Sequence, residues 1–251
     1  MLSTYGRKFL AAYPRVGKRD NPTPVSVQQL SVYYWWWAYL KRNKAYIACC
    51  ERGGQGKLAA LYKDFGDVRG DDFRAWWTTE NRGGYLFAEA PAINGFKELA
   101  GKEEWREEWT KDTTMVIAMP LTWSKRALQK SFNALLKRRH KRGRGKKALK
   151  GKETSTALYP LAHNFSVHSL KVALAVYDAV EAEKQAKSGA TYYQIGVALK
   201  LVPSAMPSAI EIAEQKRDAD KANVINVAMS RYYKKAAAMV ANVGKGLFPH
   251  V

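Results

Sequence analysis

Residues Tyr33 to Trp37 read YYWWW. Successive side chains of an α-helix step around its axis by about 100°, so five in a row point in every direction. A surface helix keeps its apolar side chains to one stripe, and this one cannot. One or two of the rings must therefore face a second element, a partner or a ligand. NPTP at 21–24 marks extended or turning chain ahead of it. Ser26 or Ser31 is placed to cap a helix running to about Cys50. Hydrophobic residues are 47% of the 251, enough to bury a core in one large domain or two small ones.

ERGGQGK (51–57) breaks that helix. KLAALYKDFGDV then reads as a short helix and turn, and Asp71 or Asp72 caps FRAWWTTEN, sending Trp76 and Trp77 inward. RGGYLFAEA predicts a turn and a short strand near 84–90. FKELAGKEEWREEW (96–109) has helical spacing at Phe96, Leu99, Trp105 and Trp109. MVIAMPL is the best strand candidate, near 115–120, a β-branched apolar run ended by a proline. Thr122 or Ser124 then caps an amphipathic helix with Leu128, Phe132, Leu135 and Leu136 on one stripe. Further on, Ser166 opens a helix that Gly189 closes, and Thr191 caps YYQIGVALKL. A long helix follows from about Asp218 to Val243, with apolar residues at 224, 227, 228, 232, 236, 239, 240 and 243. The expected class is mainly α with minor β (α+β), the C-terminal module being bundle-like. Three modules are expected: an aromatic-rich 1–114 with an acidic segment at 61–114, a strand, helix and basic loop at 115–152, and a helical 153–251.

Charge is segregated along the chain. Residues 61–114 carry 8 basic and 12 acidic residues, whereas 115–152 carry 13 basic and none acidic. Ten of the sixteen residues from Lys137 to Lys152 are Lys or Arg. A block of like charge repels itself unless solvent or a polyanion offsets it. Phosphate backbones are the commonest polyanion, and cations that contact them release condensed counterions. The expected partner is thus DNA or RNA, gripped by Lys125, Arg126, Lys130, Lys137, Arg138, Arg139, Lys141, Arg142, Arg144, Lys146 and Lys147. A solvated loop and an address tag are the alternatives for the run. Exposed aromatics would add stacking for single strands, with Tyr33–Trp37 and then Tyr232 and Tyr233 as the candidates.

The segment from Thr191 to Val240 supplies a second set. A short helix ending in IGVALKL leads by a loop to a longer helix carrying Ser230, Arg231, Tyr232, Tyr233, Lys234 and Lys235. These residues, with Gly196, resemble helix-turn-helix regulators and replication proteins of bacterial mobile elements over about 50 residues. The loop is longer than the usual three or four residues. The resemblance implies a cytoplasmic, nucleoprotein-associated chain that is regulatory or architectural. It also implies an outward row of Asn223, Asn226, Ser230, Arg231 and Lys234, with Lys235 beside it. Asn and Arg are the side chains that pair bidentately with adenine and guanine.

Nothing in the sequence assigns a catalytic residue, a metal ligand or a cofactor. Asp64, Asp67, Asp71 and Asp72 suit helix caps and turns, although a metal-dependent nuclease using them is one alternative function. His163 and His168 lack a zinc framework, and DFG at 64–66 stands without its kinase companions. Cys49 and Cys50 are expected as reduced residues on a buried helix. A second alternative is a subunit of a larger nucleoprotein complex that docks through YYWWW. No signal peptide is expected, and no apolar run reaches the length of a membrane span.

Overall fold

The computed structural model describes residues 8–89, 99, 101, 115–139, 155–164, 166–213 and 218–251. The segment expected as one helix to Cys50 is three: α1 (Val25–Gln28), α2 (Val32–Leu40) and α3 (Lys44–Glu51). Two extended residues make the breaks. Ser31 caps α2 by accepting from the Tyr33 amide, and Asn43 caps α3 by accepting from the Tyr46 amide. Then follow α4 (Ala59–Phe65), α5 (Phe73–Thr78), α6 (Arg82–Phe87), α7 (Lys125–Arg139), α8 (Val167–Ala186), α9 (Tyr192–Ala198), α10 (Ala209–Ala213) and α11 (Ala219–Val243).

These elements form two compact units, one of Met1–Pro91 with Ser155–Val251 and the other of Ala92–Thr154. The expected cuts at 114 and 152 follow the chain; the units do not, because the two ends share one core. In the larger unit α2 packs against both α8 and α11. Its Tyr39 hydroxyl donates to the Leu170 carbonyl on α8 at 3.0 Å. Asn43 Nδ2 donates to the Val240 carbonyl on α11 at 2.7 Å. Arg42 makes a forked pair with Asp178 on α8, at 3.0 and 2.7 Å.

The rings of α2 explain its burial. The Trp36 ring centroid lies 5.0 Å from that of Phe87 and 5.5 Å from that of Phe248. Trp37 faces Phe73 at 5.5 Å, and Tyr33 lies 5.6 Å from Trp77. Tyr33, Trp35, Trp36 and Trp37 are buried, and Tyr34 half-buried. Neighbouring elements of the same unit thus receive the rings, and Tyr34 alone of the five keeps more than a trace of exposed surface. Burial has a cost: the indole N–H groups of Trp36 and Trp37 have no acceptor among the described residues. An orphaned donor costs about 1–3 kcal/mol. Burying a ring of about 150–250 Å² at about 25 cal/mol per Å² gains about 4–6 kcal/mol, so packing wins.

Mainly helical is the observed class, and the two expected strands are not there. Residues 82–87 are α6, whose glycines let it close on its neighbour: a Cβ on Gly83 would lie 2.2 Å from the Trp77 ring. Ala88 then makes one isolated bridge with Phe9. Residues 115–120 belong to no strand, since a strand needs a neighbour to pair with and none pairs with them among the described residues. The expected helix at 96–109 lies outside the described residues, apart from Leu99 and Gly101. Cys49 and Cys50 are buried, unbridged residues of α3, as expected.

A second, smaller core joins α8, α9 and α11 through Val176, Val180, Ala205, Ile225 and Met229. Thr191 and Gln194 form a capping box that starts α9. A Cβ on Gly196 would stand 2.3 Å from Ile225 Cγ2 and 3.1 Å from Met229 Cγ. Gly196→Ala should therefore lower the unfolding free energy by about 1–3 kcal/mol, the usual cost of overpacking. Urea denaturation measures this, and an unchanged midpoint would refute the close packing of α9 on α11.

Burial pushes the Tyr33 phenol up to about 12 and raises those of Tyr39, Tyr46 and Tyr159 too. An unfolded tyrosine ionises near about 10, so the unfolded chain releases these protons first. Their contribution to stability is complete below about pH 10 and is lost as pH climbs through the folded values. Denaturant midpoints taken across that range should fall; a rise would contradict the burial of these rings.

Candidate nucleic-acid interface

The outward face of α11 carries the second set of expected residues. Its inward face is Ala222, Ile225, Met229, Ala236, Met239, Val240 and Val243. The first half of the helix is turned relative to the expected apolar stripe, for Val224 and Val227 are exposed. Gly196 is what draws Ile225 and Met229 inward, a signal visible only once α9 is seen to lie there. Val227, Ser230, Arg231, Lys234, Lys235 and Val251 line a shallow open depression of about 650 Å³. None of these side chains is acidic. Arg231 and Lys234 are exposed, and neither has an ion-pair partner among the described residues. Lys235 Nζ donates to Ser169 Oγ at 2.9 Å, which ties it to α8. Asn223 is exposed, but Asn226 and Ser230 are half-buried rather than outward.

Several carboxylates of the unit are engaged in pairs of their own. Asp178 pairs with Arg42, and Glu181 pairs with Lys184 at 2.7 Å while accepting from the Tyr233 hydroxyl at 2.8 Å. These two donors hold the Glu181 carboxyl below its ordinary range, and Glu181 and Tyr233 raise Lys184. Lys221 pairs with Glu211 at 2.9 Å. That pairing, with the Ser208 amide, holds Glu211 down to about 2. Sequence reading missed this network, because partners such as Lys184 and Tyr233 lie on different helices.

The expected stacking pair does not serve as a platform. The Tyr233 ring stacks on Tyr177 at 5.8 Å, with Lys184 Nζ 4.5 Å from its centroid. Tyr232 is half-buried against the main core. The turn between α9 and α11 also departs from a tight helix-turn-helix. The connection, 199–218, contains a 3-10 turn at Pro203–Ala205 and α10.

In the smaller unit, Ser124 caps α7 by accepting from the Ala127 amide at 3.3 Å. Leu128, Phe132, Leu135 and Leu136 are half-buried, and Lys125, Arg126, Lys130, Lys137 and Arg138 are exposed. Arg126, Lys130 and Lys137 are spaced by 4 and 7 residues. At about 100° per residue they form one ridge about 16 Å long, away from the apolar stripe. Arg139 ends the helix; Lys141, Arg142, Arg144, Lys146 and Lys147 lie outside the described residues. Residues 92–154 hold 17 Lys and Arg against 7 Asp and Glu.

The four aspartates are each engaged separately. Asp64 accepts from the Tyr159 hydroxyl at 2.6 Å, Asp67 from Arg69, Asp71 from Lys41, and Asp72 caps α5. No group of three His, Cys, Asp or Glu poised for a metal occurs among the described residues. His163 lies in a loop with its ring centroid 4.9 Å from that of His250, and His168 lies on α8. No helix among the described residues is long and apolar enough to cross a membrane.

Comparison with protein-family models, with curated proteins and with solved structures finds no match for this chain.

Proposed function

We propose that this chain binds nucleic acid in a regulatory or architectural role, gripping phosphates with the outward cations of α11 and the basic ridge of α7. One observation carries the reading. Arg231 and Lys234 stand over an open depression lined by no Asp or Glu side chain, and neither has an ion-pair partner among the described residues. Asp178, Glu181 and Glu211 of the same unit are meanwhile paired with other cations. Cations left unneutralised in this way are where a polyanion gains most by releasing its counterions. The basic run continuing from α7 to Lys152 extends the same chemistry. Asn226 is half-buried, which favours phosphate gripping over base reading by this helix.

Fluorescence anisotropy against labelled single- and double-stranded DNA and RNA at several salt concentrations tests this. Arg231→Ala with Lys234→Ala should weaken every sequence about equally. The slope of log affinity against log salt should flatten by about 0.9 for each phosphate that the variant no longer neutralises. The thermal midpoint should not move, because both side chains are exposed and unpaired. Replacing Lys137, Arg138, Arg139, Lys141 and Arg142 by Ala should act in the same way. Unaltered affinity in both variants would defeat the proposal, and a weakening confined to one sequence would make α11 a base reader instead.

A further inference from the structure

Leu121 is the most exposed large apolar side chain among the described residues, at 86%. It sits at the tip of a turn closed by the Trp123 amide donating to the Pro120 carbonyl at 3.1 Å. Trp123 is itself 52% exposed. The chain leading in exposes Met115, Val116, Ile117 and Met119. Water does not favour such a surface, and contiguous exposed apolar groups mark interaction sites. The turn then runs into α7 through the Ser124 cap. Between Met115 and Lys152 there is no acidic residue. An apolar tip is thereby fixed beside the Arg126, Lys130 and Lys137 ridge.

We infer that the Pro120–Trp123 turn is a wedge that enters a duplex between base steps, with Leu121 leading, while α7 holds the adjoining phosphates. The inference rests on the nucleic-acid reading above and narrows its substrate to deformable duplex DNA. Charge complementarity selects the occupant, since the helix that follows the tip carries Lys and Arg and no acidic residue, which suits a polyanion. Apolar wedges of Leu, Met, Ile, Phe or Pro are how proteins unstack a step, kinking the duplex by about 20–90°. A lipid surface fits less well. Residues 115–120 belong to no helix or strand, and hydrocarbon leaves unpaired backbone groups unsatisfied. The apolar stripe of α7, which would have to insert with the turn, is half-buried within its own unit. A groove, by contrast, is wet and bridges polar groups through water.

The test is end-to-end energy transfer on a doubly labelled duplex bearing a central TA step, with a stiff A-tract duplex for comparison. The wild type should shorten the TA duplex and bind it more tightly than the A-tract. Leu121→Ala should abolish the shortening and lower affinity for the TA duplex about tenfold, to the A-tract level. Leu121→Phe should restore both. Binding without shortening, or shortening that survives Leu121→Ala, overturns the wedge and leaves phosphate gripping intact. Failure of the wild type to bind any duplex overturns the wedge, and failure to bind single strands and RNA as well overturns the nucleic-acid reading beneath it. Phosphatidylserine vesicles form a further arm. Vesicle binding abolished by Leu121→Ala, with no duplex shortened, would assign the turn to lipid and overturn the inference.

Discussion

Trp36 has no exposed surface, and its ring meets Phe65, Phe87, Tyr159 and Phe248. Those four come from α4, α6, the segment before α8 and the end of the chain. The enclosure of α2 is therefore what brings distant parts of the sequence together. Remove it, and α4–α6 lose their common surface, while α8 and α11 lose the third helix against which they pack. The two orphaned indole N–H groups mark how strongly ring packing outweighs polar satisfaction at this place.

Charge does two separate jobs in the larger unit. Pairs such as Arg42–Asp178 and Lys221–Glu211 link helix to helix or hold a connection to its helix. They are partly exposed and contribute modestly to stability. Their other effect is on the field, since each pair offsets a carboxylate of the unit with a cation of its own. Arg231 and Lys234 have no such partner among the described residues. A net charge of +20 on its own says only that a polyanion is attractive.

The elements with local signals were legible in the sequence. Thr191 and Ser166 cap the helices they were expected to open, Asp72 rather than Asp71 caps α5, and α11 starts beside Asp218 as expected, because capping is decided within four residues. YYWWW announced that one stripe could not hold it, but left open whether a second element, a partner or a ligand would take the remaining rings; the structure shows elements of the same unit around them. What was not legible depended on distant partners. The strand expected near 84–90 is helix α6, because Gly83 must close on Trp77. The strand expected near 115–120 lacks a neighbour. The stripe of α11 turned because Gly196 accepts Ile225 and Met229. Of the expected binding residues, Arg231, Lys234 and the exposed cations of α7 lie where a ligand can reach them. Asn226 and Lys235 are only half-exposed, for helix rotation and a bond to Ser169 take them partly inward.

The part played by Phe248 has a consequence for synthesis. At about 5–20 residues per second, a ribosome completes α2 about 10–40 seconds before it reaches Phe248. Throughout that interval the most aromatic helix of the chain waits for a ring that closes one of its sides. During this wait the chain is most prone to clump with its fellows or to need a chaperone. Its surplus of positive charge, distributed early as well as late, helps keep the growing chains apart until the last helix arrives.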